Sequence, residues 1–357
     1  MTEPPRLRGF IDRARLAREI APFGRPCTRK GTWQLVNTIV PYLGLLALTV
    51  FGRLHGWPWP VTLFLALPTA ALMIRIFIFM HDCSHDSFFA SPVANRVTGF
   101  VTGVLTFTPF GEWKHSHLRH HATAGDLDQR GIGDIWTMTV DEYLAASRRK
   151  RLGYRLVRNP FFLLLVVPFY LSLLAYRVPK PGTGRAAVAS VLLTDLALLA
   201  IAVTAARTIG LGTYLLVQLP VIVIAWTCGV WLFYVQHQFE DTHWSRHDDW
   251  DPIEAALLGS SYYKLPRVLQ WFTGNIGLHH IHHLRPRIPN YHLQACQDSI
   301  PALQHLKPLT WRRSLRSAAM NLWDEQQQKL VSFGAIRGRP RRRGGDWGAD
   351  RRATTGS

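Results

Sequence analysis

Residues 59–85 read WPVTLFLALPTAALMIRIFIFMHDCSH, and this stretch decides the class of fold. Its first 22 residues carry a single charge, that of Arg75. A helix that crosses a bilayer needs about 20 such residues. The run ends in His81 and His85, and residues four apart share one face of a helix. The stretch therefore predicts a membrane-spanning helix at about Trp59–Met80, with two imidazoles at its end.

Three further apolar runs are long enough to cross a membrane, at about Trp33–Phe51, Ala186–Ala206 and Thr213–Gln236. The chain is 48% hydrophobic although it carries 41 lysines and arginines, and the charge is concentrated at the ends and in the connectors. This block pattern predicts an all-α integral membrane protein of four spans. Two shorter apolar runs, Val97–Phe110 and Pro160–Tyr176, are ambiguous.

The distribution of basic residues predicts the orientation. Eight arginines and lysines precede residue 31, and the connector Arg148–Arg158 is also basic, whereas the two short links between spans carry only Arg53 and Arg207. Positive segments stay in the cytosol, so both termini and the central connector are predicted to be cytosolic. The net charge of +18 could also suit nucleic acid, but the apolar runs favour an anionic membrane surface and no nucleic-acid partner.

These features divide the chain into three predicted segments. Residues 1–32 form a basic cytosolic segment, residues 33–310 the membrane domain, and residues 311–357 a basic C-terminal segment with a disordered, arginine-rich tail. The four cysteines form no Cys-x-x-Cys pair, so neither a disulfide framework nor a cysteine zinc site is expected. We expect no cleaved signal peptide, because the first apolar run is too long for one.

Histidines cluster in three places outside the spans. They are HDCSH at 81–85, HSHLRHH at 115–121 and HHIHH at 279–283, and His237 stands alone at the end of the fourth span. Helical spacing predicts that His81 and His85 share a face, as do His117, His120 and His121, and His279, His282 and His283. If all serve one site, an even number of crossings must separate them, so the two ambiguous apolar runs are predicted to be interfacial or re-entrant.

Nine imidazoles are too many for one metal ion and suit two. Imidazole binds iron, zinc, copper or nickel, so ligand type alone leaves the metal open. An alternative site of the soluble di-iron type would use Glu-x-x-His pairs, here Glu112 with His115 and Glu240 with His243. That alternative leaves the three histidine stripes unexplained.

These motifs resemble the histidine boxes of the membrane fatty acid desaturase family. The longer stretches HDCSHDSFF, GVLTFTPFGEWKHSHLRHHATAGDLDQRGIGDI, FYVQHQFED and HHIHHLRPRIPNY are similar to the bacterial and plastid omega-6 (delta-12) branch. The resemblance covers residues 33–310. One departure is Ser84, where that branch usually has glycine.

The resemblance implies two iron ions and nine ligands, which are His81, His85, His117, His120, His121, His237, His279, His282 and His283. His115 and His280 fall outside the stripes and are predicted to be supporting or surface residues. Asp82, Asp86, Glu240 and Asp241 are candidates for orienting ligand imidazoles. Asn275 lies one turn before His279 and could hold a metal-bound water or simply end a helix.

The resemblance also implies the reaction, in which O2 and two external electrons convert neighbouring methylenes of an acyl chain into a cis double bond. An apolar tunnel must select the carbons, and Phe77, Trp113 and Trp231 are candidates for its lining. The acyl carrier, a lipid or a thioester, stays open. The chain has no G-x-G-x-x-G and no iron–sulfur cysteine pattern, so we expect a separate donor of the ferredoxin or cytochrome type.

Two other functions fit parts of the pattern. A hydroxylase or ketolase acting on an alkane, an acyl chain or a carotenoid would use the same ligands. A histidine-rich metal transporter would need ionisable residues along a path through the membrane, and the spans contain only Arg75 and Asp195. The long stretches similar to the omega-6 branch favour desaturation, and we expect a bacterial inner membrane with the metal site on the cytosolic side.

Overall fold

The computed structural model describes residues 12–131 and 133–339. Four helices are long and apolar enough to span a membrane: α2 (Thr28–Leu54), α3 (Trp59–Ser84), α9 (Arg185–Thr208) and α10 (Leu211–His237). They confirm the four predicted spans. At 1.5 Å per residue their 24 to 27 residues measure about 36–40 Å, which exceeds the roughly 30 Å of a hydrocarbon core.

Each of these four helices has one end near the histidines. The C-terminal ends of α3 and α10 carry His81 and His237 themselves. The N-terminal part of α2 reaches the same level through Gln34, whose side chain bonds that of Asn290. The spans therefore alternate in direction, and the short links α2–α3 and α9–α10 lie at the end of the molecule away from the histidines.

Shorter helices and strands complete the fold. The helices are α1 (Arg13–Ile20), α4 (Pro92–Leu105), α5 (Phe110–Thr123), α6 (Val140–Ala145), α7 (Arg148–Val157), α8 (Val167–Leu173), α11 (Pro252–Gly259), α12 (Arg267–Phe272), α13 (His279–Leu284), α14 (Asn290–Ser299), α15 (Pro301–Gln304) and α16 (Trp311–Ser314). Single turns of 3₁₀ helix occupy Ala21–Gly24, Ala175–Arg177, His247–Asp249 and Leu315–Ala319, and a π turn occupies Phe162–Val166. The strands are β1 (Met138–Thr139), β2 (Tyr263–Lys264), β3 (Leu309–Thr310), β4 (Leu322–Asp324) and β5 (Lys329–Val331).

The strands form two small sheets. β4 pairs in parallel with β1, with Met138 opposite Leu322, and antiparallel with β5. β2 and β3 form a parallel pair. The described part of the C-terminal segment thus packs onto the connector between α5 and α7 through β4, and the Trp323 side chain in β4 is fully buried. The predicted disordered tail, which begins with Arg337 and Arg339, lies outside the described residues from residue 340 onward, as do residues 1–11 of the basic N-terminal segment.

The two ambiguous apolar runs were predicted not to cross the membrane. The first forms α4, which has 14 residues and is too short to span. Gly103 in α4 allows the helix to turn tightly, because an added Cβ would lie 2.6 Å from the carbonyl oxygen of Thr108. The run therefore ends in a tight turn that returns the chain into α5.

The second apolar run forms a segment, residues 160–177, that is bent by 65° relative to α7 and could count by length as a broken fifth span. Along the chain, the contacts of this segment and its flanking residues begin at the histidine end of α10, reach a deeper position on α10, and then return to the histidine end. Arg158 bonds Gln238 beside His237, Thr227 bonds the carbonyl of Leu164 at 2.8 Å, and Lys180 pairs with Glu112 in α5. Thr227 lies 11 residues, or about 16 Å, along α10 from Gln238. These contacts place both ends of the segment at the histidine end, which favours the predicted re-entrant path over a crossing.

The charged residues within the spans are held by fixed partners. Arg75 in α3 donates to Thr38 Oγ1 at 3.1 Å and to the carbonyl of Trp271, and its guanidinium lies 4.1 Å from the centre of the Trp271 ring. Asp195 in α9 pairs with Arg177 at 2.6 Å. Both groups tie a span to a neighbouring segment, which is a structural task rather than a path for ions.

Candidate metal centre

The nine clustered histidines converge into two groups. The first consists of His81, His85, His117, His121 and His282, and the second of His120, His237, His279 and His283. Within each group every residue offers a ring nitrogen, and these nitrogens lie within 4.8 Å of one another. Four helices supply eight of them, α3, α5, α10 and α13, and His85 directly follows α3, so elements far apart in the sequence build both groups.

Helical phase explains how the groups are divided. In α5, His117 and His121 are four residues apart and enter the first group, while His120 is turned away from His121 by about 100° and enters the second. In α13 the assignment is reversed, because His279 and His283 enter the second group and His282 the first. The predicted single stripes are thus divided, and α5 and α13 each contribute to both groups.

The ring nitrogens are spaced as ligands of a shared ion would be. The Nε2 atom of His237 lies 3.0 Å from that of His120 and 3.0 Å from that of His279. The Nε2 atom of His121 lies 3.1 Å from that of His117 and 2.9 Å from that of His282. Two nitrogens bound at right angles at about 2.1 Å from a metal are about 3 Å apart. The spacing therefore fits a metal ion in each group.

Two further observations favour metal ligation over hydrogen bonding. The Nε2 atoms of His81 and His85 are buried and have no hydrogen-bond partner among the described residues, and an unpaired buried polar atom costs about 1–3 kcal/mol. Burial, together with neighbouring imidazoles, lowers the pKa of His85, His117 and His282 well below the usual value. The same causes lower the pKa values of His121, His279 and His283. These rings are neutral near pH 7, the state that binds metals.

Second ring nitrogens of several histidines are held by groups around the centre. His120 Nδ1 lies 2.5 Å from Oδ1 of Asp134, and His81 Nδ1 lies 3.2 Å from Oδ1 of Asp82. Such contacts fix the tautomer and the direction of a ligating ring. The orienting role of Asp82 stays a prediction, and this contact supports it.

Asp134 was missed by the sequence analysis. It lies 14 residues after His120 in an irregular loop, and Oδ2 of its carboxylate also accepts the backbone N–H of Gly131 at 3.2 Å. The loop approaches α5 closely at Gly133, which has φ +77° and where a Cβ would lie 2.8 Å from the carbonyl of Ser116. In the sequence, Gly131 and Gly133 just before Asp134 were the available sign that this loop could approach α5 closely.

The other predicted supporting residues lie away from the imidazoles. Glu240 and Asp241 pair with Arg313, and Asp86 pairs with Lys114. They were expected to orient ligand rings, but in the structure their carboxylates face cationic side chains at the surface instead. His115 is exposed.

Asn275 and His280 have structural partners. The Asn275 side-chain amide donates to the carbonyl of Asn290 at 2.9 Å, and its backbone has φ +58°. His280 is fully buried, and its Nε2 lies 3.0 Å from Oε1 of Gln297. Its ring therefore holds α13 against α14 and belongs to neither histidine group.

The two Glu-x-x-His pairs do not form the alternative carboxylate site. Glu112 is buried and pairs with Lys180 at 2.6 Å, while His115 in the same turn is exposed. Glu240 faces Arg313, and the ring of His243 lies edge-on to Trp323 with centroids 6.5 Å apart. Neither pair brings its glutamate and histidine to a common point.

Aromatic rings border the histidine groups. Trp113 stacks on His117 with centroids 4.2 Å apart and contacts Phe77 edge-on at 5.3 Å. Phe233, which the sequence analysis did not single out, lies 5.3 Å from His120 and 5.4 Å from His237. Trp231 stacks on Tyr234 instead. Phe77, Trp113 and Phe233 thus give the centre an apolar border that limits access of water.

The chain is similar to known proteins over most of its length. The family model described as fatty acid desaturase matches residues 56–314. A fatty acid desaturase of Bacillus subtilis (strain 168) is 45% identical over 90% of this chain and 91% of its own. A chloroplastic omega-6 fatty acid desaturase of Arabidopsis thaliana is 24% identical over 77% of this chain and 60% of its own. An sn-2 acyl-lipid omega-3 desaturase (ferredoxin) from the same plant is 24% identical over 79% and 65%. All nine clustered histidines lie within the matched residues.

Proposed function

We propose that this chain, which belongs to the fatty acid desaturase family and is therefore an oxidoreductase, inserts a cis double bond into an acyl chain at the delta-12/omega-6 position. The observation that supports this proposal most directly is the convergence of nine histidines into two adjacent groups. The membrane-spanning helices that carry them suit a substrate that itself lies in a bilayer.

We assign one iron ion to each histidine group. His81, His85, His117, His121 and His282 would hold the first, and His120, His237, His279 and His283 the second. Bound iron supplies the capacity to reduce O2 and to take hydrogen from an unactivated methylene. The donor set supports the assignment, since neutral imidazoles bind iron but also zinc, copper and nickel.

The electron balance requires a donor. Reduction of O2 to two waters takes four electrons and four protons. The two C–H bonds that break supply two of each, and the double bond forms between their carbons. A separate protein must therefore deliver two electrons, and solvent two protons. We propose a ferredoxin or cytochrome, in keeping with the ferredoxin in the name of one relative and with the basic surface of this chain.

The side chains around the centre contribute positioning and exclusion of water. Asp134 and Asp82 fix the directions of the His120 and His81 rings. Trp113 and Phe233 border the imidazoles with apolar surface, which suits a methylene chain that offers no polar handle. Correct placement of reacting atoms is a major source of rate enhancement, so the choice of carbons depends on this border.

We propose a bacterial inner membrane as the location, with the histidine end facing the cytosol. The basic connector Arg148–Arg158 lies at the histidine end of the molecule, and positive segments near membrane helices stay inside. The substrate is then an acyl lipid or thioester reached from the cytosolic leaflet, and the electron donor docks from the cytosol.

Double-bond position is the part of the proposal that similarity supports least, because relatives named omega-6 and omega-3 are both 24% identical. The test is to express the full chain in a host whose lipids are saturated and monounsaturated, and to profile the fatty acids. We expect a new diunsaturated acid with its second double bond at delta-12. A double bond at another position would contradict the regiochemistry alone.

The same profile tests the reaction. A hydroxylated or ketone product without a new double bond would identify a hydroxylase or ketolase on the same scaffold and overturn desaturation. The matched control is His120→Ala, which should insert in the membrane and give the fatty acid profile of the empty host.

A further inference from the structure

A basic cavity of about 420 Å³ lies between α7 and the C-terminal segment, away from the two histidine groups. Its cationic wall is formed by Arg148, Arg151 and Arg155 of α7 together with Arg337. Arg339 also lines it but is paired with Asp324 at 3.0 Å. In the part of the chain that the structure describes, no salt bridge involves any of the other four arginines. Four guanidinium groups therefore line one cavity with no carboxylate paired to them among the described residues, and Arg155 donates to the Tyr143 hydroxyl.

Apolar side chains also line the cavity. They include Leu152 of α7 and Phe333 and Ile336 of the C-terminal segment. Arg155 lies over the Phe333 ring, 4.8 Å from its centre, so cationic and apolar lining residues contact each other there. A ligand that fills this cavity needs an anionic group joined to an apolar part, which is the chemistry of a phospholipid at the base of its headgroup.

Helix α7 has the pattern of a helix that lies at a membrane surface. At 100° per residue, Arg148, Arg151 and Arg155 fall within one stripe about 60° wide, and Leu152 and Leu156 fall beside it. The two leucines are 71% and 51% exposed. Exposed leucines next to arginines on one helix are typical of interfacial helices, where the apolar residues enter the acyl region and the arginines reach phosphates.

The surroundings of α7 put the cavity at the level of the lipid headgroups. Arg158, which follows α7, donates to Gln238 Oε1 at 2.8 Å, and Gln238 directly follows the last residue of the α10 span. The next residues turn by 65° into the re-entrant segment, where Phe161 is 78% exposed. The arginine wall therefore lies where a span ends, at the height of lipid phosphates.

We propose that this cavity binds the phosphate headgroup of an anionic membrane phospholipid, with the arginines holding the phosphate and Leu152 contacting the upper part of an acyl chain. Arginine binds phosphate oxygens in pairs through its planar guanidinium. The lipid is a bound component of the fold, separate from the substrate at the histidine centre, and it would fix α7 and the re-entrant segment in the bilayer.

The test uses the full chain purified in a neutral detergent, and native mass spectrometry to measure retained lipid. The probes are a phosphatidylglycerol, a phosphatidylcholine with the same acyl chains, and inorganic phosphate. We expect the phosphatidylglycerol to bind more tightly than the phosphatidylcholine and its affinity to fall with added salt. Equal retention of both lipids, or inorganic phosphate displacing the phosphatidylglycerol at equal concentration, would overturn a lipid site.

Paired variants on the same helix separate the cavity from general charge. Arg148→Gln with Arg151→Gln removes two arginines of the cavity, whereas Arg149→Gln with Lys150→Gln removes two exposed charges that do not line it. We expect the first pair to weaken phosphatidylglycerol binding about 25-fold, at about fivefold per arginine, and the second by less than about twofold. Equal losses would show attraction by charge alone and would overturn the proposal.

A protein ligand is the remaining alternative. If the Arg148 and Arg151 pair leaves lipid retention unchanged but raises the KM for an acidic ferredoxin, the cavity is a docking surface for an electron donor and the lipid proposal is wrong. Lipid retention does not depend on turnover, so this result can be told apart from failure of the proposed desaturation.

Discussion

The carboxylate of Asp134 lies 2.5 Å from Nδ1 of His120, the residue by which α5 enters the second histidine group. The contact spans 14 residues of chain and is almost fully buried, since the two side chains are only 4% and 2% exposed. A buried carboxylate at this nitrogen leaves the other ring nitrogen, Nε2, directed at His237. The loop after α5 therefore determines how one imidazole points.

Replacing this carboxylate should weaken the centre without unfolding the chain. We predict that Asp134→Asn lowers turnover or iron affinity by about 10- to 100-fold, because supporting contacts of metal ligands have effects of that size. Iron content by elemental analysis and lipid profiling are the measurements. Asp86→Asn is the matched control, because Asp86 is a carboxylate near the first histidine box that faces Lys114. An equal loss in both variants would contradict the positioning role.

Removal of histidines should distinguish the two groups. His279→Ala with His283→Ala leaves two of four donors in the second group and all five in the first. We predict that bound iron falls from about two to about one per chain, with loss of desaturation. The control His305→Ala removes an exposed histidine outside both groups and should retain both ions. Complete loss of iron in the double variant would show that the groups do not bind independently.

Within the histidine cluster at 115–121, the effect of replacing a histidine should depend on the direction in which its side chain points. We predict that His120→Ala abolishes activity and lowers iron content, whereas His115→Ala, in the same helix but exposed, has little effect on either. Both proteins should insert and purify alike. Unchanged iron content in His120→Ala would count against its assignment as a ligand.

Gly277 lies two residues before the histidine cluster at 279–283, where its backbone closely approaches the backbone of Tyr263. A Cβ there would lie 2.3 Å from the carbonyl oxygen of Tyr263, and the Tyr263 N–H donates back to the Gly277 carbonyl at 2.6 Å. Backbone atoms cannot move aside cheaply, so we predict that Gly277→Ala destabilises the protein by about 1–3 kcal/mol. The measurement is the apparent Tm in detergent.

A second glycine provides the control for that prediction. Gly44 lies inside α2 with no atom near the position of an added Cβ, so Gly44→Ala should leave the Tm unchanged or raise it slightly, because alanine favours helix. If Gly277→Ala were equally well tolerated, the close approach to Tyr263 would not be a constraint on α13.

A histidine–aspartate pair joins the loops after α5 and α10, and its contribution to stability depends on pH. His247 Nδ1 lies 2.7 Å from Oδ2 of Asp126, and this hydrogen bond raises the pKa of His247 above the usual value of 6.5. A raised histidine pKa stabilises the folded form below about pH 6.5, and the contribution is lost as the pH rises through the raised value. The effect is small because the imidazole is exposed.

Hydrogen exchange can measure this pair. The amides of Leu127 and Ser245 bond across the two loops, so we predict that their protection factors fall as the pH is raised from 6 to 9, after correction for intrinsic exchange. In His247→Gln this dependence should be absent. A pH dependence that persists in the variant would assign it to another group.

The sequence predicted the parts of the fold that depend on local pattern. Apolar length located four spans, but α3 extends to Ser84 rather than residue 80, because helical hydrogen bonding continues into the polar box that hydropathy excludes. The i, i+3, i+4 spacing identified all nine converging histidines. It could also have separated His120 from His117 and His121, which helical phase turns in different directions.

Features that depend on tertiary contacts were not readable in advance. Asp134 reaches His120 through a loop, and Glu240 turns to Arg313, a residue 73 positions away. Within residues 311–339, β4 forms by pairing with β1, which lies more than 180 residues earlier. Carboxylates near histidines in the sequence are therefore weak guides to their partners in space.

Because α5 and α13 each contribute to both groups, the two groups acquire their histidines in a different order as the chain is synthesised. Once α5 has been made, the first group has four of its five donors, and only His282 is still to come. The second group then has His120 alone, gains His237 with α10, and is completed only by His279 and His283. In a chain made from its N-terminus, the first group thus holds four donors while the second holds one, although both groups are completed only when α13 is made.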